Sequence, residues 1–126
     1  KAMDALEFSG ISDMALEKAS TLSQGDLKRL EVARAIATEP ELLLLDEPSL
    51  GLSPMLVRTM FELIVTLNRQ KMTILLVEQN IQQALKIADR AYVIKNGEIA
   101  MAGGGEELLD NPEVQKAYIG TRWGKR

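Results

Sequence analysis

Asp46 and Glu47 close a run of four leucines, Leu42 to Leu45, and Pro48 follows them at once. Two adjacent carboxylates can accept a proton or hold a cation. The leucine run shows no alternation, which is the pattern of a strand buried on both faces of a mostly parallel sheet. In open α/β sheets ligands bind outside the carboxyl ends of the strands, so the pair would stand at the mouth of a crevice. Taken alone, it is as readily an acidic strand end in solvent. A second candidate lies upstream in "LSQGD", Leu22 to Asp26. Ser23 and Asp26 have the Ser-x-x-acid spacing of a helix cap, with Asp in place of the Glu of a full capping box. Ser23 offers a hydroxyl and Gly25 permits close backbone approach. The helix they open presents free N–H groups and about half a positive charge, which suits an anion. Taken alone, it is more readily an ordinary capped helix.

The elements that must carry these residues follow from spacing. Residues 1–20 read as weak helix in two pieces, "KAMDALEFSG" and "SDMALEKAS", broken at Gly10. From Ser23 a helix runs on Leu27, Leu30, Ala33, Ile36 and Ala37 until Pro40 ends it. After the leucine strand and a short loop, Ser53 and Pro54 open a helix as cap and first residue. Its apolar stripe is Leu56, Met60, Leu63, Ile64 and Leu67. "TILLVE", Thr73 to Glu78, reads as a second buried strand, and a short helix starts near Asn80. Strand, helix, strand and helix in this order imply right-handed crossovers and a parallel sheet. The rhythm then changes. Asn96-Gly97 between two short apolar runs predicts a type I′ hairpin joining Ala91–Lys95 to Glu98–Ala102. Gly103, Gly104 and Gly105 suggest a flexible joint, and two short helices separated by Asn111-Pro112 complete the chain.

Composition narrows the function classes. The 126 residues are 46% hydrophobic and 26% charged, enough for one globular domain or a piece of one. A net charge of −3 gives no general attraction to nucleic acid, although Lys116, Arg122, Lys125 and Arg126 make the C-terminal end locally basic. The absence of cysteine excludes a disulfide framework, and the absence of histidine removes the commonest general base and metal ligand. No apolar stretch approaches the roughly 18 residues of a membrane span. The first residue is Lys1, with no signal-peptide pattern behind it.

Four stretches stand in a fixed order: "LSQGD", "LLLLDEP", "SLGLSP" and "TILLVEQN". In this order they resemble the signature motif, Walker B, D-loop and switch region of the ATP-binding cassette (ABC) ATPases, over nearly the whole chain. The wording "DEPSLGLSP", "LLVEQN" and "ADRAYVIKNGEIA" is most similar to the ATPase subunits of branched-chain amino-acid importers, with those of urea importers as close relatives. The resemblance implies an α/β fold: the C-terminal part of a RecA-like P-loop NTPase core, with parallel strands, helices and a terminal hairpin. Residues 1–39 would end the helical subdomain, and residues 40–126 would carry the nucleotide-binding core. ATP and Mg2+ are the implied cofactors. Asp46 matches the acid that holds Mg2+, and Glu47 the acid that polarises the attacking water. Ser23, Gln24, Gly25 and Asp26 match the signature contacts to nucleotide, and Ser49, Gly51 and Ser53 fall in the D-loop segment. The implied partners are a second ABC ATPase subunit and membrane permease subunits, with no nucleic acid, on the cytoplasmic face of the cell membrane. This division suits phosphoryl transfer, which needs a held cation, an oriented water and positive dipoles for developing charge.

Three departures from the family pattern stand out. Gln79 occupies the position of the usual switch histidine, and can donate a hydrogen bond to a γ-phosphate without carrying a proton charge. Ser53 replaces the usual D-loop aspartate, and Gln24 replaces a glycine of the signature. A fourth is larger. No glycine begins a G-x-x-x-x-G-K-[ST] phosphate loop, and the one Gly-Lys pair is Gly124-Lys125. The expectation is therefore a C-terminal portion of an ATPase, inactive by itself, whose Walker A strand would fill a gap between the Thr73 strand and the next in sequence. Such an edge invites pairing with another chain. Two other readings compete: a docking or assembly module without turnover, and a DNA-repair or chromosome-organising ABC ATPase. The lack of coiled-coil heptads and of a broad basic stripe argues against the latter.

Overall fold

The computed structural model describes Lys1 to Ile119. Gly124-Lys125 and the basic residues Arg122, Lys125 and Arg126 lie outside the described residues. Two compact units divide the chain, Lys1–Val77 and Glu78–Arg126. The boundary between them falls after Val77, and residues on both sides of position 39 belong to the first.

In the first unit α1 (Ala2–Phe8) ends at Gly10, whose φ of +70° turns the chain. The second helical piece expected over "SDMALEKAS" does not form. It is replaced by two 3₁₀ turns, Ser12–Met14 and Ala19–Thr21. Met14, Ala15 and Leu16 are contiguous rather than spaced by three or four, so a helix there would have no face to bury. Leu16 is fully exposed. Next, α2 (Gln24–Ile36) starts on the Ser23 cap and packs on α1. Glu39, just before Pro40, is left-handed with φ 52°. The strands β1 (Leu42–Asp46) and β2 (Thr73–Val77) pair in parallel, with Leu42 opposite Thr73 and Asp46 opposite Val77. They are joined by α3 (Pro54–Arg69), which buries Met60, Phe61, Ile64 and Leu67, so its stripe agrees with the spacing.

Burial of β1 on both faces is not what the structure has. Leu43 and Leu45 are buried, whereas Leu42 and Leu44 are 51% and 65% exposed, and Leu75 and Val77 of β2 are exposed with them. Side chains alternate across a strand, and the described residues of this unit cover only one face of the two-stranded sheet.

In the second unit α4 (Ile81–Ile87) is capped by Asn80, and β3 (Ala91–Lys95) pairs antiparallel with β4 (Glu98–Gly103). Asn96 and Gly97 have φ of 54° and 80°, the two positive values of a type I′ turn. A register shift between Val93 and Ile94 was not foreseen. Leu85, Val93, Leu108 and Val114 form the core, with α5 (Gly105–Leu109) and α6 (Pro112–Val114) packed around it, followed by a wide helical turn over Gln115–Ile119. The glycine triplet is no flexible joint. Gly103 ends β4, Gly104 caps α5, and Gly105 is buried inside it. Among the described residues each unit holds one two-stranded sheet, β1 with β2 in the first and β3 with β4 in the second.

Candidate functional site

Asp46 is the last residue of β1 and is exposed at its carboxyl end, where the sequence places it. Glu47 is half-buried and takes a backbone conformation that side chains other than glycine seldom adopt, with φ 46°. Its N–H donates to the Val77 carbonyl at 2.8 Å, which ties the residue after β1 to the end of β2. Two overlapping turns follow: Leu50 N–H donates to Glu47 O at 3.1 Å, and Leu52 N–H to Ser49 O at 3.2 Å. Pro48 and Ser49 are buried under them, and Gly51 supplies a positive φ of 77°. Ser53 then caps α3, accepting from Leu56 N–H at 3.4 Å.

The start of α2 is a closed hydrogen-bond ring. Ser23 Oγ accepts the Asp26 N–H at 3.2 Å and donates to the Asp26 carboxylate. The Arg29 guanidinium lies 3.8 Å from the same carboxylate and offsets its charge beside the positive helix end. Gln24 is the first helical residue and is exposed. Gly25 is buried in the first turn, and a Cβ placed on it would lie 2.6 Å from Leu56 Cδ1.

Ser23, Gln24, Gly25, Asp26, Asp46, Glu47, Ser49, Gly51 and Ser53 all belong to the first unit, where Gly25 meets Leu56 at the beginning of α3. Gln79 belongs to the second unit. It is exposed, two residues beyond β2, and its carbonyl accepts the Ile81 N–H at 2.8 Å. Sequence reasoning missed Leu56 as a partner of Gly25 and the left-handed turn at Glu47. Glu39 and Glu47 both precede proline, which disfavours the ordinary helical region but favours extended backbone, so the left-handed turn had no local signal.

Among the described residues no three acidic or other metal-ligating side chains gather into a cage. Asp46, exposed at the strand end, is a carboxylate of the kind that fits Mg2+, which commonly takes one or two protein carboxylates together with waters and the phosphates of a nucleotide.

The sequence pattern described as ABC transporter matches residues 1–50. The chain is 49% identical over 113 residues to BraG, the high-affinity branched-chain amino acid transport ATP-binding protein of Pseudomonas aeruginosa, covering 90% of this chain and 48% of that one. It is 41% identical over 121 residues to the corresponding protein LivG of Escherichia coli, covering 95% and 48%. Among solved structures, the ADP conformation of MJ1267, an ATP-binding cassette of an ABC transporter, superposes with a TM-score of 0.82 at 36% identity, over 95% of this chain and 49% of that one. The chain thus spans about half the length of the relatives it matches.

Proposed function

The chain belongs to the ABC transporter family of ATP-binding proteins, and from that premise we propose that it forms the Walker B and signature part of an ATPase subunit that energises a branched-chain amino-acid importer. The observation that carries this reading is the placement of Asp46 and Glu47 at the carboxyl end of a parallel strand, with Glu47 N–H anchored on Val77 O at 2.8 Å. Asp46, exposed at the strand end, would hold Mg2+. Bound there, Mg2+ supplies neutralisation of charge on the phosphates. Glu47 takes the proton of the attacking water, and Gln79 donates its amide N–H toward the γ-phosphate. Ser23, Gln24, Gly25 and Asp26 serve a nucleotide on a second ATPase subunit, approached also by the Ser49, Gly51 and Ser53 loop.

In this reading residues 1–39 close the helical subdomain and residues 40–126 continue the nucleotide-binding core. No phosphate loop occurs in the sequence, so the cradle for ATP comes from a further part of a longer subunit or from another chain. Membrane permease subunits are the other partners, which places the complex on the cytoplasmic face of the cell membrane. No helix among the described residues is long and apolar enough to cross a membrane itself. The test is transport: vesicles carrying the subunit, its permeases and a solute-binding protein should take up leucine, isoleucine or valine only when Mg-ATP is on the ATPase side. Uptake of urea instead would replace the solute assignment, and full binding-protein docking without ATP turnover would replace the enzyme by an assembly module.

A further inference from the structure

The first turns of α2 and α3 meet at one contact. A Cβ on Gly25 would lie 2.6 Å from Leu56 Cδ1 and 3.5 Å from Cδ2, so Leu56 occupies the space that the missing side chain leaves. The backbone of Gly25 is ordinary helix, without the positive φ found at Gly10 and Gly51. Nothing in its conformation demands glycine, and alanine is the better helix former. The demand comes from Leu56. That same residue gives its N–H to the Ser53 cap at 3.4 Å. Leu56 is thus tied through its backbone to the loop that leaves Asp46 and Glu47, and through its side chain to the turn that carries Ser23.

We propose that Leu56 is a positioning residue, which sets the start of α2 against the Ser49–Ser53 loop so that the two move as one piece. The proposal deepens the ATPase reading and rests on it. It assigns the absence of a side chain at position 25 to contact within the chain, where a glycine kept only for close approach of a nucleotide would be indifferent to residue 56. The tip of Leu56 borders a groove of about 290 Å³ shared with Leu52 and Arg29. A methyl group at position 25 therefore displaces Leu56 sideways and leaves the fold standing.

A double-mutant cycle tests this in the complete ATPase subunit that carries the sequence. Gly25→Ala and Leu56→Ala should each lower turnover at saturating Mg-ATP by about tenfold, the size expected where contacting residues are coupled. Both break the same contact, so the double variant should lose no more than the worse single, with KM for ATP little changed. Leu56→Met, which keeps the volume, should retain near-parental turnover. Losses that multiply in the double variant, or a parental rate for Leu56→Ala beside an impaired Gly25→Ala, overturn the proposal. Absence of turnover in the parent subunit would sink the ATPase reading instead, and thermal melting of the same set then decides the contact. Gly25→Ala should lower the melting temperature when residue 56 is leucine and leave or raise it when residue 56 is alanine; a rise in both backgrounds overturns the contact.

Discussion

The Ser23 hydroxyl accepts one hydrogen bond from the Asp26 N–H and gives one to the Asp26 carboxylate. To serve an incoming phosphate it must surrender the second and keep the first. The two roles therefore separate by substitution. Ser23→Asn preserves a capping acceptor and should melt close to the parent. Ser23→Arg loses the cap, at a cost of about 0.5–2 kcal/mol, and also fills the space before the helix end. In the complete subunit we expect Ser23→Arg to abolish ATP-dependent dimerisation, measured as dimer mass by light scattering, while ATP affinity of the monomer stays unchanged. A Ser23→Arg protein that dimerises with ATP as well as the parent would leave Ser23 as a cap alone. At this scale the sequence was informative about caps. Ser23 and Ser53, read as caps, each bond an N–H of the turn they precede, and Asn80 and Asn111, not singled out as caps, do the same. It was less informative about Glu47, whose left-handed turn depends on the reach of its N–H to Val77 in a strand distant in sequence.

Among the elements, the triplet Gly103–Gly105 shows how composition misleads. Three consecutive glycines read as looseness, yet a Cβ at Gly105 would lie 2.3 Å from the carbonyl oxygens of both Leu85 and Ala88. These are backbone atoms at the end of α4, with no rotamer to relieve the clash. A loose joint would gain about 0.4–1 kcal/mol from Gly105→Ala through a less flexible unfolded chain. Close packing predicts the opposite sign, a loss of about 1–3 kcal/mol from overpacking, read from the midpoint of urea denaturation. The hairpin behaved as its Asn-Gly turn requires, because two positive φ values are a local property. The β1 burial did not, because whether a strand is covered on one face or two depends on which layers lie against it. The unalternating leucines mark a strand built for two covered faces, and the described part of the first unit covers one.

For the whole molecule the uncovered surface has a consequence. Leu42, Leu44, Leu75 and Val77 form one exposed apolar face on a sheet of two strands, and a sheet that small is marginal without further cover. We expect the chain alone to self-associate, and Leu44→Lys to reduce that association in sedimentation velocity; equal association of parent and variant would show that this face takes no part. Motif order made the ATPase family legible, since "LSQGD", "LLLLDEP", "SLGLSP" and "VEQN" follow one another in a fixed order between Leu22 and Asn80. The partners of each motif were not legible, because contacts such as Gly25 with Leu56 depend on how helices meet in space. On the reading proposed, the Asp46–Glu47 strand end is the hydrolytic part of an ATPase, with Glu47 as the base. Steady-state phosphate release by the complete subunit and its Glu47→Gln variant tests it most directly, because glutamine keeps the shape and removes the proton acceptor. Turnover should fall by about a hundred- to ten-thousand-fold with ATP binding retained. Turnover within a few-fold of the parent would contradict it.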